Sequence, residues 1–403
     1  MDKPDAILRR LPAAAATLLA AVALALTAAA CSGDDPDEGP EPPGQTERTL
    51  LMYLPWSTDL TSYFENNISE MGQAALAHGL DGERVLVYMC TAADAAVLFE
   101  LLPDGQECRR QTLKTYQSPE YTTAGGIASM LRDVRSLAPA RSYAMTIGCH
   151  GMGWVPVNEA GSRAGGEPPR PHWQYAGGPL TRYFGGFTKD VQTDVVTLAE
   201  GIELADMHME FILFDDCFMS SVEAAYDLRH AADWLIACPT EIMARGMPYD
   251  AIGAHLLGTP DYAAVCSEFL SFYSSYSYPY GTIGVTRTDQ LDSLARVVRK
   301  IEAAGTLDSA LRPYLQRMDG YSPPIFYDLG DYIAAICTDE ELLAEFNAQL
   351  ARTVPYKAHT SSYYSAITGA EPIRAYSGIT TSAPTRSRYA DDWRLTEWYA
   401  ATH

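Results

Sequence analysis

The chain of 403 residues carries 29 basic against 51 acidic side chains, a formal net charge of −22, which excludes a nucleic-acid partner because neutralising phosphates needs a basic face. A hydrophobic share of 47%, with 25 Tyr, 11 Phe and 6 Trp, excludes wholesale disorder and can fill the core of one large domain or two smaller ones.

Residues 1–30 read as an export address. Lys3, Arg9 and Arg10 form a charged start, and an alanine-heavy apolar run follows over 11–30, interrupted by Pro12 and without a charged far flank. That pattern is a secretory signal; a membrane anchor is the competing reading, and the run only just reaches the ~20 residues a span needs. Ala28-Ala29-Ala30-Cys31 resembles a bacterial lipobox, in which Cys31 becomes the lipidated N-terminus. Residues 31–47 form an acidic, proline-rich tether. Six acids, four prolines and no base over 32–47 make a self-repelling, extended segment. Its acidity also resembles the surface-export signals of some Gram-negative lipoproteins, and a plain spacer is the equal alternative.

The body begins at Arg48. Apolar runs at 49–56, 84–90, 142–150, 210–217, 233–239 and 281–286 predict strands, several of them apolar on both faces as in a parallel sheet. Helical spacing recurs between them at 59–78, 125–137, 193–208, 220–232, 261–276 and 288–304. The alternation implies an open, mostly parallel α/β sheet with helices on both faces. Residues 98–102 and 111–116, with Pro103-Asp104-Gly105 between, predict an antiparallel excursion. A core over 48–305 and an α/β extension over 306–403, with a helix at 339–352, complete the expected layout. The stretch 158–186 breaks the rhythm with seven Gly, four Pro and Arg163, Arg170 and Arg182, too long for an ordinary connection.

Two strand ends carry the chemistry. Ile147-Gly148-Cys149-His150-Gly151-Met152-Gly153-Trp154 runs from a buried strand into a glycine-rich turn. The second strand ends on Asp215-Asp216-Cys217, and Ser220 to Glu223 predict a capping box opening the next helix. Ligands of open α/β sheets bind beyond the carboxyl ends of the strands. If these strands are neighbours, His150 and Cys217 face one another there. Imidazole lowers a thiol's pKa and later protonates a leaving amine, and a glycine after the His lets its N–H approach an oxyanion. Asp215, two residues before Cys217, shares its face of the strand and is placed to pair with a basic side chain; Asp216 points the other way, toward a cap or a structural hydrogen bond. Taken alone the pair is weak, since a buried Cys is more often an inert hydrophobe. A metal site or a Cys149–Cys217 disulfide remains open, although 8 cysteines without a CxxC pair give no scaffold or zinc-ribbon spacing.

The His-Gly block, the Asp-x-Cys block and Pro239-Thr240-Glu241-Ile242-Met243 with Gly246-Met247-Pro248-Tyr249 together resemble the clostripain-like cysteine peptidases, family C11 of the caspase/gingipain clan. The resemblance runs in order over 49–288 and touches 376–384 and 393–402, which look like a closing strand and terminal helix. It implies a caspase-like fold and a cysteine endopeptidase with Cys217 as nucleophile, His150 as acid/base, Gly151 in the oxyanion site and Asp215 selecting Arg or Lys at P1. Cys149 and Asp216 depart from the family pattern, which has Asn or Gly and a small residue there.

The expected partners are proteins or peptides with basic P1 residues, with the membrane reached through the lipid anchor only. Family members can respond to calcium, but no D-x-D-x-D-G loop is present, so no cofactor and no metal residue is assigned. The expected location is an exported outer-membrane lipoprotein, with the cell surface and the periplasmic side both open. The loop 158–186 leaves the His and offers basic sites, predicting a zymogen self-cleaved at Arg163 or Arg170. Pro171 after Arg170 puts Arg163 first. The competing reading is a weakly catalytic surface protein of the same fold that binds glycans or host proteins through its clustered tyrosines, among them Tyr273, Tyr276, Tyr278, Tyr280, Tyr363 and Tyr364.

Overall fold

The computed structural model describes residues 44–55, 60–92, 94–157 and 192–403. The export address, Cys31, most of the tether, and Arg163, Arg170 and Arg182 lie outside them. Among the described residues the chain runs β1 (Thr46–Leu54), α1 (Thr61–His78), β2 (Glu83–Ala92), β3 (Ala95–Asp104), β4 (Glu107–Gln117), α2 (Ala124–Leu137), β5 (Ala140–Gly148), α3 (Val195–Leu204), β6 (Met209–Asp215), α4 (Val222–Asp227), β7 (Ala232–Ala237), α5 (Tyr249–Ile252), α6 (Tyr262–Ser275), β8 (Thr282–Arg287) and α7 (Leu291–Ala304). Then follow β9 (Tyr327–Asp328), α8 (Leu329–Ile336), α9 (Glu340–Thr353), β10 (Tyr356–His359), β11 (Ser362–Ser365), β12 (Gly369–Pro372), β13 (Thr380–Thr381), α10 (Ala390–Trp393) and α11 (Glu397–Thr402).

Nine strands form one sheet in the order β10-β8-β7-β6-β5-β1-β2-β3-β4. The middle strands β7, β6, β5, β1 and β2 are parallel, and both edges are antiparallel. The parallel strands are apolar on both faces, as their burial requires: Leu50 to Leu54 of β1 and Phe211 to Phe214 of β6 are all buried. The chain moves outward from β1 to β2 through α1, but in the opposite direction from β5 to β6 through α3. Right-handed crossovers therefore put these helices on opposite faces. On one face α1, α5 and α6 pack in sequence; on the other α2 meets α3, and α4 leads through α11 to α7 and α9. The direction reverses between β1 and β5, which opens a crevice at their carboxyl ends.

The chain after 305 builds into this framework. β10 pairs with β8 at the sheet edge, and β13 pairs with β9 beside α4. The predicted 376–384 strand is thus only two residues of β, and it joins the small β13–β9 sheet and not the central one. The expected 220–232 helix is also shorter, because Ser221 and not Ser220 is its cap, accepting from Ala224 N at 3.3 Å. Glu223 does not close a capping box across to Ser220. Its buried carboxylate instead accepts from Thr381 Oγ1 at 3.0 Å, Ser382 N at 2.7 Å and Trp393 Nε1 at 3.0 Å, tying α4 to the tail. The tyrosine-rich stretch after 272 is mostly packing: Tyr273 and Tyr363 are fully buried, and Phe272, Tyr273 and Tyr276 stack on one another, with Tyr278 the exposed member at their end.

Candidate active site

β5 and β6 are parallel neighbours with Gly148 opposite Asp215. Each strand then continues two residues, to His150 and to Cys217, so the register itself sets the two candidate residues side by side beyond the sheet. The turn after His150 presses on the other strand's end. A Cβ at Gly151 would stand 2.2 Å from Cys217 O, 2.8 Å from Asp216 Cβ and 2.8 Å from Cys217 N. Only glycine fits there. Gly153, at φ +61°, lets the chain turn away over Phe218 O and the Phe326 ring.

Both departures from the family pattern are built into this junction. The Cys149 N–H donates to Asp216 Oδ1 at 2.6 Å, and the Cys149 thiol lies 3.2 Å from His150 O. Asp216 thus ties the two strand ends together, the structural hydrogen bond expected of it. No disulfide forms among the described cysteines, so the Cys149–Cys217 alternative fails. Among the described residues no group of three or more His, Cys, Asp or Glu side chains could hold a metal ion, and no helix is long and apolar enough to cross a membrane.

Cys217 and His150 are both fully buried. The Cys217 Sγ accepts from Ile242 N at 3.4 Å. Burial pushes its thiol well above the ordinary value, and the Glu241 carboxylate adds to the rise, with Cys238 and Asp216 behind it; the Ile242 N–H opposes them. Glu241 accepts from Ala366 N with both oxygens, at 3.1 and 3.2 Å. The residue after Cys217 is Phe218, at φ +61°, a conformation that an aromatic side chain rarely adopts. It is held by Phe218 N donating to Thr240 O at 3.0 Å and by stacking on Phe326 at 5.1 Å. Strain of this kind collects at functional sites.

Asp215 is buried and accepts from Met247 N at 2.7 Å. Glu70 of α1 lies near enough for the Asp215 charge to raise its pKa, although burial is the larger cause and Arg245 pulls the other way. Arg245 pairs with Glu70, lies 3.7 Å from Asp250 and covers the Phe272 ring at 5.4 Å. Two carboxylates, Glu70 and Asp250, thus flank the Arg245 guanidinium, and Asp215 acts on the nearer of them, Glu70. Sequence reading missed Glu70, Arg245, Glu241 and Phe218. Glu241 and Arg245 sit in or beside a quoted motif, but nothing in their spacing reveals that the loop after β7 folds back over Cys217.

A nucleophilic side chain, an imidazole and an N–H-bearing glycine turn at the end of a mostly parallel sheet define a caspase-like cysteine peptidase. The Clostripain family of C11 peptidases matches residues 186–346 by its sequence profile. None of the curated proteins matches the chain. Among solved structures, a secreted C11 cysteine protease from Bacteroides thetaiotaomicron, "iotapain", is 49% identical, covers 89% of this chain and 100% of its own, and superposes with a TM-score of 0.82. A clostripain from the same species in complex with the peptide inhibitor BTN-VLTK-AOMK is 51% identical over 55% of this chain and 99% of its own, with a TM-score of 0.54. An inactive zymogen C11 protease from Parabacteroides distasonis is 27% identical over 90% of this chain and 99% of its own, with a TM-score of 0.73. The chain belongs to the clostripain family of C11 cysteine peptidases.

Proposed function

We propose that this peptidase is exported and lipid-anchored through Cys31, and that it cleaves after Arg or Lys with Cys217 as nucleophile and His150 as acid/base. The observation that carries the assignment is the seat of Gly151 on the Asp216–Cys217 peptide, which sets the turn after His150 directly against the backbone of Cys217. His150 takes the Cys217 proton, and the sulfur bonds to the carbonyl carbon of the scissile peptide. The carbonyl oxygen takes up the electron pair and is stabilised by the Gly151 N–H, with the Cys217 N–H as second donor. When the C–N bond breaks, His150 returns its proton to the leaving amine. Water, deprotonated by His150, then releases the acyl group and restores the thiol.

Basic P1 selection rests on Asp215. Its tie to Met247 N fixes the carboxylate, and the surplus of acid over base around Glu70 and Arg245 favours a cationic side chain. The inhibitor held by the Bacteroides clostripain ends its peptide on a lysine, which agrees with this selection. Burial of both Cys217 and His150 supports a latent form, and one structural neighbour is described as an inactive zymogen. We place activation at self-cleavage after Arg163 or Arg170. A fluorogenic peptide panel varying P1 tests the activity, with turnover expected for Arg and Lys and lost in Cys217→Ala. Mass spectrometry of both proteins tests the processing. A nick in the wild type alone is expected, and one intact chain in fully active enzyme would refute it.

A further inference from the structure

A cavity of about 300 Å³ opens at the same end of the sheet, on the far side of His150 from Cys217. Tyr53 of β1 and Tyr88 of β2 form its floor, and half-buried Tyr116 of β4 and Tyr121 its walls. The rings make a ladder across the strand ends: Tyr53 and Tyr88 are 5.4 Å apart, and Tyr116 meets Tyr88 edge-on at 5.3 Å. The Tyr53 hydroxyl is turned to Tyr121 O at 3.3 Å and that of Tyr116 to Asp133 Oδ2 at 3.0 Å; Tyr53 and Tyr88 are themselves buried, so the ring surface open to the space is mainly that of Tyr116 and Tyr121. The rim is exposed at Ser118 and at Gly125, in the first turn of α2.

The direction of the substrate decides what this cavity faces. The group that protonates the leaving amine must stand beside the fragment that leaves, so residues after the scissile bond depart on His150's side of Cys217. Cys217 follows β6 and His150 follows β5, and the sheet continues from β5 to β1 and β2. Strands are spaced about 4.8 Å apart, so the ends of β1 and β2 lie roughly 10–14 Å from Cys217 across the sheet. An extended peptide rises about 3.3 Å per residue and covers that span in three to four residues. The crevice opened by the reversal between β1 and β5 lies on the path.

We infer that the tyrosine-lined cavity is a primed-side subsite that takes an aromatic side chain three or four residues beyond the scissile bond. The inference rests on the Cys217–His150 assignment. Aromatic faces arranged edge-on and tilted favour another ring, and a tenfold preference over alanine corresponds to the usual strength of such contacts.

The test uses internally quenched peptides with one fixed unprimed sequence ending in a basic residue, in which Phe or Ala is moved through P1′ to P5′. The activated enzyme should show a Phe-over-Ala ratio in kcat/KM of about ten at P3′ or P4′. Gly125→Phe fills the cavity from its rim. A Cβ at Gly125 meets nothing within 4 Å, and a side chain in place of a helical glycine keeps the helix. That variant should bring the ratio to about one. A ratio near one at every primed position of the wild type, or one that survives in Gly125→Phe, overturns the inference. An aminocoumarin peptide, which has no primed residues, keeps the two readings apart: hydrolysis of it by Cys217→Ala at the wild-type rate would overturn the dyad itself.

Discussion

Gly151→Ala is the sharpest perturbation of the site that changes no functional group. The added Cβ would stand 2.2 Å from Cys217 O, where ordinary contact begins at 3.4 Å, so the turn after His150 must retreat by about 1.2 Å. The obstacle is backbone on the adjoining strand end, and the Cys149–Asp216 hydrogen bond at 2.6 Å holds the two ends together, so it cannot swing aside as a flexible side chain would. A misplacement of about 1 Å at a catalytic group costs on the order of 100-fold in rate. Withdrawal of the Gly151 N–H from the oxyanion adds to that, since one such donor is worth roughly 100-fold or more. Overpacking lowers stability by only about 1–3 kcal/mol. The assay is kcat/KM on an Arg or Lys fluorogenic peptide, with denaturant unfolding of the same preparations. A folded variant with at least a hundredfold loss is expected. A folded variant retaining half of wild-type kcat/KM would refute the contact between the His150 turn and Cys217.

Glu241→Gln removes the charge that, after burial, most raises the Cys217 thiol, so the pH midpoint of Cys217 alkylation should move down; an unchanged or higher midpoint would count against the placement of Glu241. Asp215→Asn keeps an acceptor for Met247 N but loses the charge, and kcat/KM for Arg and Lys substrates should fall by the equivalent of about 2–5 kcal/mol. Equal wild-type activity on neutral P1 substrates would make Asp215 structural. Asp227 is pushed up to about 7 by burial, then by Glu397 and Glu223, with Arg229 opposing. A folded pKa above the unfolded ~3.9 favours folding below that value and loses the benefit as pH rises toward 7, a change of at most about 4 kcal/mol. Asp227→Asn should flatten this decline in a urea-denaturation series from pH 4 to 8, and an unaltered slope would show that Asp227 is not its source.

The parallel strands were legible because burial on both faces leaves long apolar runs, and their ends fell within two or three residues of the observed ones. The placement of His150, Gly151 and Cys217 at adjoining strand ends was legible for the same reason: each stands where such a run stops. β10 was not, since Tyr356–His359 is a half-exposed edge strand of four residues without apolar alternation. Nor was the role of Glu223. Serine three residues before glutamate reads as a local cap, whereas its real partners lie near residues 381–393, a pairing that only the tertiary fold creates. Cys149 and Asp216 looked like faults in the family pattern. The Asp216 carboxylate takes the backbone N–H of residue 149 and so ties the two strand ends, while the Cys149 thiol stays within its own turn, against His150 O.

The central claim is that one thiol does the chemistry with one imidazole. An electrophilic Lys or Arg peptide applied to activated enzyme, followed by peptide mapping of the adduct, tests it most directly. A single adduct on Cys217 is expected, formed at least a hundredfold more slowly in His150→Ala, and none in Cys217→Ala. An adduct on Cys149, Cys238 or any other cysteine that tracks loss of activity, or labelling of Cys217 at an unchanged rate without His150, would contradict it.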